Sequence, residues 1–239
     1  MTDDEELLTR VRELRRRGSG PKQIARALGV RPSVASVLVR RVAEVEQAVD
    51  DPVDRALVGC WLSPGWSEGL GLGDAPLAWQ QSDPVSGTET ASGGLAGVVV
   101  ARRERASRVT VCGFLVDVHC LGVKNVHGPQ AMGSGSLDAW RRDFFSAFDS
   151  PGVEAPLELA QHLVHGAVAF ARGLGFEPCE EFAAAAVYLG EPAGPVPIEF
   201  GRDGVPFYVA GPYDDARSVV RTLNDAVGEG NYHYVLPMG

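Results

Sequence analysis

Apolar side chains between residues 4 and 45 return every three or four positions, in three runs separated by glycine and proline. Leu7, Leu8, Val11 and Leu14 share one face of a helix over residues 4–17, which Gly18, Ser19 and Gly20 stop. Pro21 sits where a first helical turn tolerates proline, and Ile24, Ala25, Ala27 and Leu28 follow at helical spacing. Gly29, free to take a positive φ, ends this second helix. Val30 fills the turn, and Pro32 opens a third helix with Val34, Ala35, Leu38 and Val42 at its buried positions. The acidic stretch 45–54 extends that helix or starts a linker.

Beyond it the period changes. Residues 63–97 are rich in Gly, Ser, Pro and Asp, and Trp61, Trp66 and Trp79 are scattered in and beside them. Flexible linkers rarely carry tryptophan, so the expectation is an irregular arm packed on the following domain. The Gly-Leu-Gly-Leu-Gly stretch at 69–73 lacks the ending of a phosphate loop. Valine-rich runs at 97–102 and 108–118 predict two strands, followed by a loop over 119–135. Helices are predicted from a Ser136 cap to about Asp149, over 155–174 and over 179–188. Runs at 196–200 and 205–209 predict a hairpin around Arg202-Asp203-Gly204. Asp214 is expected to cap a last helix to Val227, before a strand at 232–236. The result is an α+β chain: a three-helix unit at 1–50, an arm at 51–94 and a larger α+β domain at 95–239.

Composition fits a chain with a real core, at 45% apolar and 22% charged residues. No run reaches the roughly 18 consecutive apolar residues of a membrane helix, and Asp3, Asp4, Glu5 and Glu6 carry the wrong charge for a secretion signal. Cys60, Cys112, Cys120 and Cys179 form no CxxC pair, which fits reduced thiols. The expectation is a soluble cytoplasmic protein with no membrane partner and no cofactor.

Charge changes the picture most. Residues 10–41 hold ten Lys or Arg and one acid, Glu13, whereas from residue 51 onward 23 acidic side chains face 12 basic ones. A basic head on an acidic body implies that the head alone meets a polyanion. The segment PKQIARALGVRPSVASVLVRR resembles the helix-turn-helix of resolvase-like and sigma-factor-like DNA binders, through small Ala25, turn Gly29 and apolar Val30 and Leu38. That resemblance implies a third helix in the major groove of double-stranded DNA. Arg31, Ser33, Ser36 and Arg40 would then meet bases; Lys22, Arg26, Arg41 and the Arg15–Arg17 run would meet phosphates. The bland alternative is a small helical interaction module whose arginines are merely solvated; RNA or a protein is an alternative partner.

In the body, Asp117, His119, Cys120 and Lys124 cluster where a strand gives way to a loop, and they are the candidates for catalysis. Adjacent strand residues point to opposite faces, which argues against His119 activating Cys120. Glu158, His162 and His165 form one stripe of a helix and are the candidate metal ligands, with a solvated polar face the favoured reading. The segments VVVARRERASRVTVCGFLVDVHCLGVKN, LVHGAVAFARGLGFEP and GRDGVPFYVAGPYDD are similar to a bacterial domain without an assigned activity, spanning about 95–236. The preferred expectation is a transcriptional regulator whose acidic body senses a ligand, forms a homodimer or recruits a partner. The competing ones are a nucleic-acid-targeted enzyme with its site near Asp117–Lys124 and a non-catalytic interaction protein.

Overall fold

The computed structural model describes residues 3–49, 51–84, 93–105, 107–148, 150–195 and 197–236. The chain divides into two compact units, Met1–Asp54 and Arg55–Gly239.

The first unit holds α1 (Asp3–Arg16), α2 (Pro21–Leu28) and α3 (Pro32–Val49), then a 3₁₀ turn at Pro52–Asp54. Its small core joins Val11 of α1, Ile24 and Ala25 of α2, and Ala35, Leu38 and Val42 of α3. Val34, expected among the buried positions, is instead 44% exposed, because Ala35, Leu38 and Val42 already define the inward face.

The second unit is built on a five-stranded antiparallel sheet in the order β4-β3-β2-β1-β5. Its strands are β1 (Leu57–Leu62), β2 (Leu95–Arg105), β3 (Arg108–Asp117), β4 (Gly122–Gly133) and β5 (Val153–Glu154). Two of these depart from the sequence reading. β1, read as part of the arm, lies between β2 and β5. β4 occupies the segment expected to be a loop, pairing along nearly its whole length with β3. It is an edge strand, where polar residues and Pro129 are tolerated.

The sheet is covered on both sides. Cys60, Leu62, Val98, Val100, Cys112, Phe114 and Val116 pack under α6 (Leu157–Gly173) and α7 (Phe182–Leu189), with Trp66 and with Trp79 of α4 (Leu77–Gln81). The alternate residues Val99, Ala101, Val109 and Val111 pack under α5 (Leu137–Phe144) and the 3₁₀ segment Phe145–Phe148 that continues it. Double coverage is why β2 and β3 read as unbroken apolar runs rather than alternating ones. On the α5 face the aromatic rings lie directly over glycine. A Cβ on Gly113 would stand 2.5 Å from Phe144 Cε2, and one on Gly97 2.7 Å from Phe148 Cε2. Asp149, the expected end of the α5 helix, falls outside the described residues, and Ser136 makes no side-chain cap.

A third cluster gathers Cys120, Leu174, Tyr208, Leu223 and Tyr232 under α8 (Ala216–Val227). Here β6 (Phe207–Val209) pairs in parallel with β7 (His233–Val235). The expected hairpin is not formed. The turn chemistry is right, since Asp203 and Gly204 both take positive φ and Arg202 bridges Val205. But Glu199 bridges Gly71 and β6 is claimed by β7, while Val196 lies outside the described residues.

Gly113→Ala should lower the unfolding free energy of the second unit by about 1–3 kcal/mol through overpacking against Phe144. Gly133→Ala is the control: Gly133 has φ −65° and an added Cβ meets nothing within 4 Å. Urea midpoints of the two variants should separate accordingly; equal midpoints would deny the aromatic packing on glycine.

Candidate nucleic-acid interface

The geometry of α2 and α3 follows from a few local bonds. The Gly20 N–H donates to the Gln23 side-chain oxygen at 2.8 Å, closing the first turn of α2. Gly29, at φ 66°, ends the helix in the left-handed conformation, and the Val30 N–H reaches back to the Ala25 oxygen at 3.1 Å. An added Cβ at Gly29 meets nothing within 4 Å, so the turn requires glycine for its dihedral and not for space. The Arg31 carbonyl accepts the Ala35 N–H at 3.0 Å, which makes Arg31 the cap residue of α3. Ala25 is 4% exposed, and its small side chain lets α2 and α3 cross closely.

All seven nominated side chains, Lys22, Arg26, Arg31, Ser33, Ser36, Arg40 and Arg41, are exposed on these two helices and their turn. A cleft of ≈ 510 Å³ runs between them, lined by Gly20, Pro21, Lys22, Gln23, Pro32 and Ser36. It adds Gln23, which the spacing alone did not single out because its role in closing the turn leaves no periodic mark. Ser36 Oγ donates to the Pro32 carbonyl at 2.9 Å, leaving its lone pairs outward. Arg15 is half-buried and donates to the Val39 carbonyl at 3.4 Å, so this member of the arginine run ties α1 to α3.

The candidates in the body are used structurally. Asp117 is 4% exposed at the end of β3, and its Oδ1 accepts the His119 N–H at 3.0 Å and the Cys120 N–H at 2.9 Å. It thereby holds the turn into β4, where Asp117 pairs with Gly122. Burial raises its carboxyl to about 6, although the amides and Lys124 pull the other way. His119 Nε2 donates to the Glu68 carbonyl at 2.6 Å, and burial lowers its basicity. Cys120 is fully buried in the α8 cluster, and burial pushes its thiol up, away from the thiolate that nucleophilic attack needs. His119 and Cys120 thus turn to different partners. Lys124 Nζ donates to Asp214 Oδ2 at 2.8 Å, and Asp214 also accepts the Gly211 N–H at 2.8 Å and the Tyr208 hydroxyl at 3.3 Å. Burial opposes the Asp214 charge, but Lys124 and these donors outweigh it and lower its pKa. The cap of α8 is therefore the next residue, Asp215, whose side chain accepts the Ser218 N–H at 3.2 Å.

The metal-ligand stripe does not converge. Glu158 is exposed, while His162 is 2% exposed with its ring 5.3 Å from that of Trp79. His165 Nε2 donates to the Gly190 carbonyl at 3.0 Å. The histidines are not on a solvated face, because α4 and the end of α7 cover that side of α6. No group of three metal-ligating side chains is present among the described residues.

Comparison with known proteins found no matching protein family, curated protein or solved structure. The fold belongs to the α+β class, and no helix among the described residues is long and apolar enough to cross a membrane.

Asp117 makes a pH signature. Its folded pKa near 6 lies above the ordinary 3.8, so between those values the folded chain holds a proton that the unfolded chain has released. Stability from this group is therefore present below about pH 4 and is lost as pH rises through 6. Asp117→Asn keeps an acceptor for both amides and removes the titration. Relative to the parent, the variant should gain about 1–3 kcal/mol in urea unfolding between pH 4 and pH 7. A pH-independent difference would contradict the assignment.

Proposed function

We propose that the chain is a DNA-binding transcriptional regulator of the cytoplasm, with the head as its double-stranded DNA reader. The observation that carries this reading is the segregation of the head's side chains. Ala25, Ile24, Ala35, Leu38 and Val42 form a closed apolar core, and the cationic and hydroxyl residues of α2 and α3 are left facing outward together. The charge contrast with the acidic body supports it, since only the head attracts a polyanion. Four free cysteines support a reducing compartment. The acidic body then serves for sensing, for pairing with a second copy or for recruitment. Asp117, His119, Cys120 and Lys124 are occupied by turn-forming and packing roles, which favours the regulator over an enzyme.

Full-length chain should bind duplex DNA with log K falling against log salt at a slope of about −4 to −5, as about five phosphate contacts require. Arg26→Ala should weaken specific and random duplexes alike and reduce the slope by about one unit. Arg31→Ala should instead cost about 1–3 kcal/mol on the preferred site and relax its sequence preference. Binding that ignores salt, or indifference to both substitutions, would remove the reading.

A further inference from the structure

Val34 and Val37 are 44% and 61% exposed, on a helix that turns Ala35, Leu38 and Val42 inward. Val37 lies on the outward face, one helical turn from Ser33 on one side and from Arg40 and Arg41 on the other. Val34 sits one turn before Val37. Ser36 borders the same face where the cleft opens toward Lys22 and Gln23. Single exposed valines are ordinary on a protein surface. Two on successive turns, flanked by Ser33, Ser36, Arg31, Arg40 and Arg41, form an apolar centre beside a cationic rim.

Charge decides what fits that surface. Residues 10–41 carry ten Lys or Arg against one acid, an excess that attracts a polyanion. This face has Lys22, Arg31 and Arg40 exposed around two valines. A polyanion with a small apolar group at the floor of its groove is complementary to it. In the major groove the thymine C5-methyl is such a group, whereas guanine shows two acceptors, cytosine a donor and adenine one of each.

Resting on the DNA-binding reading above, we propose that Val34 and Val37 are specificity-determining residues that contact thymine methyl groups in the major groove. The sequence read by α3 then contains thymine at its centre, beside the base met by Arg31 at the helix start.

The test uses full-length chain to enrich duplexes from a randomised library, and the enriched duplex is the probe. Each thymine is replaced singly by deoxyuridine, which removes one methyl group and leaves every hydrogen-bonding group in place. At one or two positions the parent should lose about fourfold in affinity, the worth of one buried methyl-sized group. Val34→Ala and Val37→Ala should each become indifferent to the exchange at one of those positions. Equal affinity for the thymine duplex and for one carrying deoxyuridine throughout overturns the proposal and leaves DNA binding intact. Failure to enrich or bind any duplex overturns the DNA-binding reading and this proposal with it. If Val37→Ala instead converts a dimer to a monomer in sedimentation while deoxyuridine has no effect, the patch joins two copies of the chain and the proposal is overturned.

Discussion

β2 and β3 are covered on both faces, by α6 and α7 on one side and by α5 on the other. A strand in that position is apolar along most of its length, and the helices above it must approach closely enough to exclude water. The glycines follow from this: Gly97 and Gly113 leave the space that Phe148 and Phe144 fill. So does the treatment of Arg102, a buried cation on β2. Arg102 is 4% exposed on β2, and its guanidinium donates to the carbonyls of Tyr188, Arg55 (3.0 Å) and Leu189 (3.4 Å). Two of these close the carboxyl end of α7, where the helix dipole favours a positive charge. Gln161 adds a third donor there, at 3.0 Å from the Leu189 oxygen.

The same constraint explains why the polar residues at the end of β3 are spent inside the fold. A chain leaving a doubly covered strand must turn in a dry environment, and its exposed amides need partners. Asp117 supplies one for the turn, His119 reaches the Glu68 carbonyl, and Lys124 with Asp214 ties β4 to the segment before α8. In the head the balance is reversed. Six buried residues, with Leu8, Leu14, Leu28, Val30 and Val39 packed against them, hold the three helices, and Lys22, Arg26, Arg31, Arg40 and Arg41 stay exposed.

The three-helix unit was legible from sequence because its periodicity, glycine stop and proline start are all local signals. α6, β2 and β3 were legible for the same reason, as long and strongly patterned segments. What escaped depends on distant partners. β4 has Lys124, Asn125, His127 and Gln130 in it and becomes a strand only because β3 offers an edge. β1 is short and interrupted by Gly59, where an added Cβ would stand 2.3 Å from the Trp61 ring. β6 pairs with β7 across α8, a parallel connection that no turn residue announces. His162 looked solvated because the residues that cover it, Trp79 above all, lie far away in sequence. In the head, the spacing put the nominated side chains on the exposed side of α2, α3 and their turn, but it expected Val34 to be buried and Arg15 to face a partner, where Arg15 instead reaches the Val39 carbonyl of α3.

The proposed DNA-binding function requires a duplex to meet the exposed face of α2 and α3. Amide chemical shifts of the full-length chain, followed by NMR during titration with a short duplex, test it most directly. DNA binding by the head shifts resonances from Gly20 to Arg41 and leaves those of β1 to β5 unmoved. Shifts centred on Asp117 to Lys124 or on α6, with the head unchanged, would contradict it.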